Sequence, residues 1–303
     1  MDARITKQRL ANMLSYDWLK ILGAIALAAV FFCVFFMMIG TRATDGQKFY
    51  VYAYDGLKAG GDFTQLKDDM KAKGVFSYEI LDTGSETFKK NGLYGDSVFM
   101  SRRAAGEGRV MFINDVRTTD DEGKVHSTLL NNFLEYEGTK EESFALFLDP
   151  AEFLNDCKDY LTDFFGENLD TLNREKAREA FMARNGKDKR FRTSAKKEAG
   201  VLLEEKRLEK LKTDYLLVSS QIGQSLDYVT YTTEQKTHII GFSMKSLNLT
   251  SLVYYTVEED GETVQRNSEI ALCLFNNGKR DGELKYESLN FLAYLLKTYG
   301  TAT

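Results

Sequence analysis

The sequence predicts an α/β protein carried on one N-terminal transmembrane helix. Three observations predict it. Ile21 to Gly40 is an unbroken run with no charge and no strongly polar group. From Lys48 onward, short β-branched or aromatic runs alternate with amphipathic stretches in the order β-α-β-α-β, the half-unit of an open, largely parallel sheet. A Lys/Arg-rich helical insertion then separates this lobe from a closing set of strands. Apolar residues make up 43% and charged residues 28% of the 303-residue chain, enough to bury a core. A mean hydropathy of -0.35 excludes a polytopic transporter. The one proline, Pro150, excludes a Pro-rich stalk, and the three cysteines exclude a dense disulfide scaffold. The net charge of -5 gives no global reason to expect nucleic acid as a partner.

The chain is divided accordingly: 1–20 as a cytoplasmic segment, 21–40 as the span, and 41–47 as a tether. Residues 48–148 form an α/β lobe, 149–226 a helical, basic segment, and 227–303 a mixed α/β closing segment. Twenty helical residues rise roughly 30 Å, the thickness of a bilayer core. Trp18 and Tyr16 stand at the entry edge, where amphipathic rings favour the headgroup layer, and Ile21 and Gly40 bound the span. Arg4, Lys7, Arg9 and Lys20 precede it, so the positive-inside bias puts the N-terminus in the cytoplasm and the rest outside. The rival is a cleaved signal peptide with Thr41-Arg42-Ala43 as its site. The apolar run exceeds the usual h-region, which favours an uncleaved anchor in the cell membrane.

Lys48 to Tyr54 reads as a buried strand. Asp62 with Gln65 has capping-box spacing for a helix striped by Phe63, Leu66 and Met70 and ended by Gly74. Phe76 to Leu81 reads as the second strand, Asp96 to Ala105 as a helix, and Val110 to Ile113 as the third strand. Ser127 to Tyr136 reads as helical and Phe144 to Leu148 as a strand. Asp149-Pro150 with Glu152 is a strong helix start, followed by the stripe Phe153, Cys157, Tyr160, Phe164. Arg174 to Lys212 holds fourteen Lys/Arg against seven Asp/Glu. Its second part continues as an amphipathic helix along Val201, Leu208, Leu211, Tyr215, Val218 and Ile222. Strands follow from Asp227, at Thr237–Phe242, Leu252–Val257 and Glu269–Phe275, with a turn at Asp260-Gly261. Tyr286 to Tyr299 is the closing helix.

No constellation for catalysis emerges, so the chain is read as a non-enzyme with no cofactor and no metal site. His126 and His238 lack metal-ligand spacing, and neither a Gly-x-Ser-x-Gly elbow nor a Walker A loop is present. Gly106-Glu107-Gly108 follows a helix instead of a strand, so it reads as a helix end. Cys157 and Cys273 read as buried free thiols. The candidate contact is basic: Lys187, Lys189, Arg190, Arg192, Lys196 and Lys197 are the kind of cluster that meets lipid headgroups, an acidic polymer or an acidic partner surface. Its plain alternative is a solvated loop between two helices.

The stretch Lys48 to Asp115 resembles the opening of bacterial extracytoplasmic solute-binding proteins of the ABC-transporter type. The likeness lies in the strand Phe49–Tyr54, the helix from Asp62, the strand near Tyr78–Leu81, and Met100-Ser-Arg-Arg-Ala-Ala-Gly-Glu-Gly-Arg-Val-Met-Phe-Ile-Asn-Asp115. Ile239-Ile240-Gly241-Phe242 is similar to the family's crossing strand. Ile270–Asn276 followed by Tyr286–Leu292 is similar to its closing strand and helix. The N-terminal layout resembles membrane-tethered proteins of Gram-positive anaerobic bacteria. The resemblance implies a solute-binding-like lobe serving a transport system, with the lipid bilayer and a membrane or envelope protein as partners. It departs at Arg109, where the family usually has Asp, and at Trp18, the only tryptophan, so a sugar ligand would have to stack on Tyr or Phe. The alternative is a ligand-free structural or assembly protein that binds a membrane or envelope partner.

Overall fold

The computed structural model describes residues 7–39, 43–89, 95–119, 121–123, 125–127, 129, 144–232, 236–278 and 282–300. The chain forms two units, Met1–Arg42 and Ala43–Thr303. The first is one helix, α1 (Lys7–Ile39). Trp18–Phe36 within it is long and apolar enough to cross a membrane, and none of it is buried inside the protein. Helix formation begins well before Ile21, which the absence of Gly and Pro between Lys7 and Ile21 permits. Trp18 and Ile21 are exposed; Gly40 lies outside the described residues.

The second unit is built on a six-stranded mixed sheet. In chain order its elements are β1 (Lys48–Ala53), β2 (Lys58–Ala59), α2 (Gly61–Ala72), β3 (Asp82–Thr87), α3 (Gly95–Ala104), β4 (Val110–Asn114), β5 (Arg117–Thr119) and β6 (Val125–Ser127). Then come α4 (Pro150–Phe165), α5 (Arg174–Asn185), α6 (Ser194–Gln221), β7 (Asp227–Thr232), β8 (Thr237–Ser243), β9 (Val253–Glu259), β10 (Glu262–Arg266), β11 (Ile270–Leu274) and α7 (Glu287–Tyr299). The sheet runs β3-β1-β4-β11-β8-β7. β3, β1 and β4 are mutually parallel, and β11, β8 and β7 are antiparallel to their neighbours. The opening and closing segments thus share one sheet, because β11 pairs with both β4 and β8.

Each face of that sheet carries its own core. Phe49, Val51, Phe112, Leu272 and Leu274 point into the larger one with α2, α4, α6 and α7. Tyr52, Met111, Ile113, Ala271 and Cys273 point to the other, with Phe99 of α3 and Phe88, Phe147 and Phe275. β4 and β11 are buried at every position, which explains the apolar runs Val110–Ile113 and Ile270–Leu274. Asp149 caps α4 by accepting from the Ala151 and Glu152 amides at 2.8 and 3.2 Å, with Pro150 at the first helical position. Cys157 and Cys273 are buried and free, and burial pushes both thiols up.

Several expectations are corrected. Phe76–Leu81 is a turn, and the second parallel strand lies just beyond it, at Asp82–Thr87. Ser77 is held instead by Glu287, its hydroxyl donating to that carboxylate at 2.7 Å. Asp62 does not cap α2. The helix starts at Gly61, and its first amides are met by a neighbouring backbone, Gly60 N–H donating to Leu252 O and Asp62 N–H to Ser251 O. A Cβ on Gly60 would strike the Ser251 carbonyl, so glycine is required there. Phe144–Leu148 is a turn with a single bridge, Phe147 to Phe275, and not a strand. Ser127 ends β6; of the helix expected over 127–136, only Leu129 falls among the remaining described residues. The Asp260-Gly261 turn closes a hairpin whose second strand, β10, is mostly exposed and carries too little apolar patterning to be read.

Arg109 is also explained. It is 2% exposed. Its Nη2 donates to Gly46 O at 2.6 Å and its Nε to Lys48 O at 3.2 Å. Its own amide donates to Tyr50 O, and its carbonyl accepts from Phe275 N–H. The side chain therefore pins the start of β1 to the head of β4. Replacing it with Met leaves the buried Gly46 carbonyl and the half-buried Lys48 carbonyl without this donor. Arg109→Met should lower stability by about 1–3 kcal/mol, read as an earlier urea midpoint. Amide exchange at residues 46–50 should rise with it.

Candidate functional site

Three polar groupings stand out on this scaffold. The first lies at the carboxyl ends of β1 and β4. There the crossovers diverge, and open α/β sheets bind ligands at such points. Asn114 and Asp115 stand at that end and are buried. Asp115 accepts from Ser127 Oγ and Tyr231 OH, each at 2.6 Å, and pairs with Arg117 at 2.9 Å. Arg117 also caps Thr230 O at 3.0 Å and lies over the Tyr231 ring. Burial, then the bond to Asp115, pushes the Tyr231 phenol up, so it stays a neutral donor.

The second grouping is a buried ion cluster that joins α5, α6 and α7 to the turn before β3. Arg207 is at its centre, wholly buried. Its Nε meets Glu287 at 2.8 Å; its Nη1 meets Glu204 and Tyr160 OH, each at 3.0 Å. Arg184 adds Glu204 at 2.5 Å and Glu79 at 3.0 Å, and also pairs with Glu283. Asn185 and Tyr78 donate to Glu79 and Glu204, each at 2.7 Å. Asn290 donates to Glu287 at 2.8 Å. Burial pushes the Tyr78 phenol up, and the Glu204 and Glu79 charges push it further. Burial also favours a neutral Glu79, but the Arg184 charge and the bonds from Asn185, Arg184 and Tyr78 outweigh it, holding the carboxyl below its usual range. All these carboxylates are met by guanidinium, amide or hydroxyl donors. The cluster is built to hold elements together and presents no free base.

The third grouping is the basic set, which spans the turn between α5 and α6 (Lys187, Lys189, Arg190, Arg192) and the first turn of α6 (Lys196, Lys197). Asp188 caps the short turn Lys189–Phe191, and Thr193 caps α6. Phe181, Phe191 and Val201 pack beneath it in a small core of their own. A Cβ on Gly200 would collide with the Phe181 ring, so the two helices approach at that glycine. Lys187, Lys189, Arg192 and Lys196 are exposed and Lys197 half-buried. Arg190 departs from the other five. It turns inward to Asp188 at 2.8 Å and Tyr78 O at 3.0 Å, with Glu79 at 3.6 Å, so it belongs to the brace beneath. The turn is thus a cationic tip mounted on a fixed hairpin. The brace was not legible in the sequence. The buried face of α6 includes Glu204, Arg207 and Asp214, which interrupt an apolar stripe. Their partners on the turn before β3 and on α7 are remote in sequence.

Among the described residues no group of three or more His, Cys, Asp or Glu could hold a metal ion. His238 stacks on Phe144, ring centroids 4.1 Å apart, and His126 lies in β6. No family model, curated protein or solved structure matches the chain.

Removing Arg207 leaves Glu204 and Glu287 without their shared cation. Arg207→Met should cost about 3–5 kcal/mol, and the triple change Arg207→Met/Glu204→Leu/Glu287→Leu should recover most of it, as measured by chemical unfolding. A depressed carboxyl stabilises the fold above its unfolded value, and that contribution disappears as pH falls through the folded value. Stability should therefore drop below about pH 4, where an unfolded glutamate takes up its proton. Glu79→Gln should flatten that drop in a series of unfolding curves taken from pH 7 to pH 3.

Proposed function

We propose that the chain is a single-pass membrane protein, its N-terminus cytoplasmic, whose extracytoplasmic α/β unit binds an acidic envelope protein through the tip between α5 and α6. The observation that carries this reading is the pairing of an exposed cationic tip with a buried brace. Lys187, Lys189, Arg192, Lys196 and Lys197 meet no acidic partner among the described residues, while Arg184, Arg190 and Arg207 beneath them are each paired with carboxylates. A braced backbone removes part of the ordering cost of binding, and charge complementarity speeds encounter. The reading is of a binding and assembly role without catalysis. The anchor supports it, because a tether holds the unit near membrane partners and raises their effective concentration.

The test is a photo-crosslinker placed at Arg192 in the full chain in its native membranes. The expected result is a discrete crosslinked product. It should disappear with Lys187→Glu/Lys189→Glu/Lys196→Glu/Lys197→Glu and weaken in high salt, which screens exposed charge. A product indifferent to both changes, or none at all, would refute the reading.

A second reading is favoured by one observation, the buried polar set of Asn114 and Asp115 at the carboxyl ends of β1 and β4. On it the unit is a solute-binding-like module that serves a transport system. A ligand at 100 times its dissociation constant would add about 2.7 kcal/mol of stability. A clear rise in the thermal midpoint with one class among sugars, amino acids, short peptides and metal ions, lost in Asp115→Asn, would favour it over the first.

A further inference from the structure

The two edges of the six-stranded sheet are treated differently. At one edge, β7 is bulged between Val229 and Thr230, and Arg117 covers the Thr230 carbonyl. Both devices block strand addition. At the other edge, β3 has six residues in regular parallel register with β1 and no bulge, proline or lysine.

The direction of its backbone groups follows from the ladder. Tyr50 O accepts from Arg109 and Tyr54 N–H donates to Phe112, so the even positions of β1 face β4. Phe49, Val51 and Ala53 therefore face β3. In a parallel pair, such a residue bonds on either side of its register mate. The mates are Thr83, Ser85 and Thr87, so Asp82, Gly84 and Glu86 make the ladder bonds. The Phe88 amide, donating to Ala53 O, continues that set. Thr83, Ser85 and Thr87 turn their N–H and C=O groups outward, where they meet no backbone partner among the described residues.

A groove of about 400 Å³ opens at the start of this edge, between Asp82 and Thr83 of β3 and the C-terminal half of α2. Its floor includes Met70, Phe76, Ile80 and Leu81, the last 39% exposed. Lys67 and Lys71, one helical turn apart and exposed, form its α2 rim. Neither has an acidic partner among the described residues, whereas Lys73 nearby pairs with Asp69.

We infer that β3 and α2 form a docking groove for an extended peptide segment of a partner protein, added as a seventh strand, with alternate apolar side chains on the groove floor and acidic ones at Lys67 and Lys71. Backbone bonds to Thr83 and Ser85 supply affinity, and the two lysines select for acidic sequence. This surface is separate from the cationic tip and does not depend on it.

The test uses the full chain in zwitterionic nanodiscs and a fluorescein-labelled decapeptide of alternating Val and Glu, with a Val-Lys decapeptide as its counterpart. Anisotropy should show saturable binding of the Val-Glu peptide, at least tenfold tighter than the Val-Lys peptide. Amide exchange at Thr83 and Ser85 should slow in the complex. Thr83→Pro removes an outward N–H and no ladder bond, and should weaken binding at least tenfold. Thr83→Val keeps that N–H and should bind as the wild type, which separates edge pairing from folding defects. Lys67→Glu/Lys71→Glu should invert the peptide preference. Absence of Val-Glu binding, equal binding of both peptides, or unchanged binding by Thr83→Pro overturns the inference. So does a concentration-dependent dimer that Thr83→Pro abolishes, which would assign the edge to a second copy of the chain.

Discussion

Arg207 is the interaction on which the arrangement of the helices depends. Its guanidinium lies between α6 and α7 with no solvent contact, bonded to Glu204 on its own helix, Glu287 on the next and Tyr160 on α4. A buried charge is tolerable only when it is paired and its hydrogen bonds are met. That requirement fixes the relative placement of three helices. It also draws in the turn before β3, because Glu204 and Glu287 need further donors, and Tyr78 and Ser77 supply them. The turn in turn sets where β3 begins.

The cationic tip follows from that constraint. The α5–α6 hairpin has only a small apolar core of its own around Phe181, Phe191 and Val201. Its base joins the rest of the unit through Ala177, Leu208, Leu211 and Val218 in the main core, and its outer part through the ion pairs of Arg184 and Arg190 with Glu79. Ionic contacts have narrow geometric demands, so they orient as well as attach. The lysines and Arg192 are left outside that network and face solvent.

Much of the fold was legible in the sequence, for physical reasons that can be named. β4 as far as Ile113 and the whole of β11 are apolar because both faces are covered, and α4 carries its Asp-Pro start. α7 is buried almost all round because it packs on the sheet through Phe291 and on α6, and its apolar run Phe291–Leu296 reflects that. The failures share a cause. β3, with the sequence Asp-Thr-Gly-Ser-Glu-Thr, is polar because it is an edge, and Phe76–Leu81 looked more like a strand than it does. Glu204, Arg207 and Arg109 are charged residues in buried positions. Their partners come from distant parts of the chain, and a one-dimensional pattern carries no record of such pairings. Of the six basic residues, Lys187, Lys189 and Arg192 lie exposed between the two helices, and Lys196 and Lys197 stand in the first turn of α6. Arg190 turns inward to Asp188, Tyr78 and Glu79, and the last two are remote in sequence.

The most direct measurement of this account is residue-resolved amide hydrogen exchange across 174–221 in the full chain, for the wild type and Arg207→Met. The account predicts that α5, α6 and the turn between them are protected in the wild type to nearly the level of β4 and β11. In Arg207→Met that protection should fall while β4 and β11 keep theirs. Fast exchange of the hairpin in the wild type, or protection indifferent to the loss of Arg207, would contradict it.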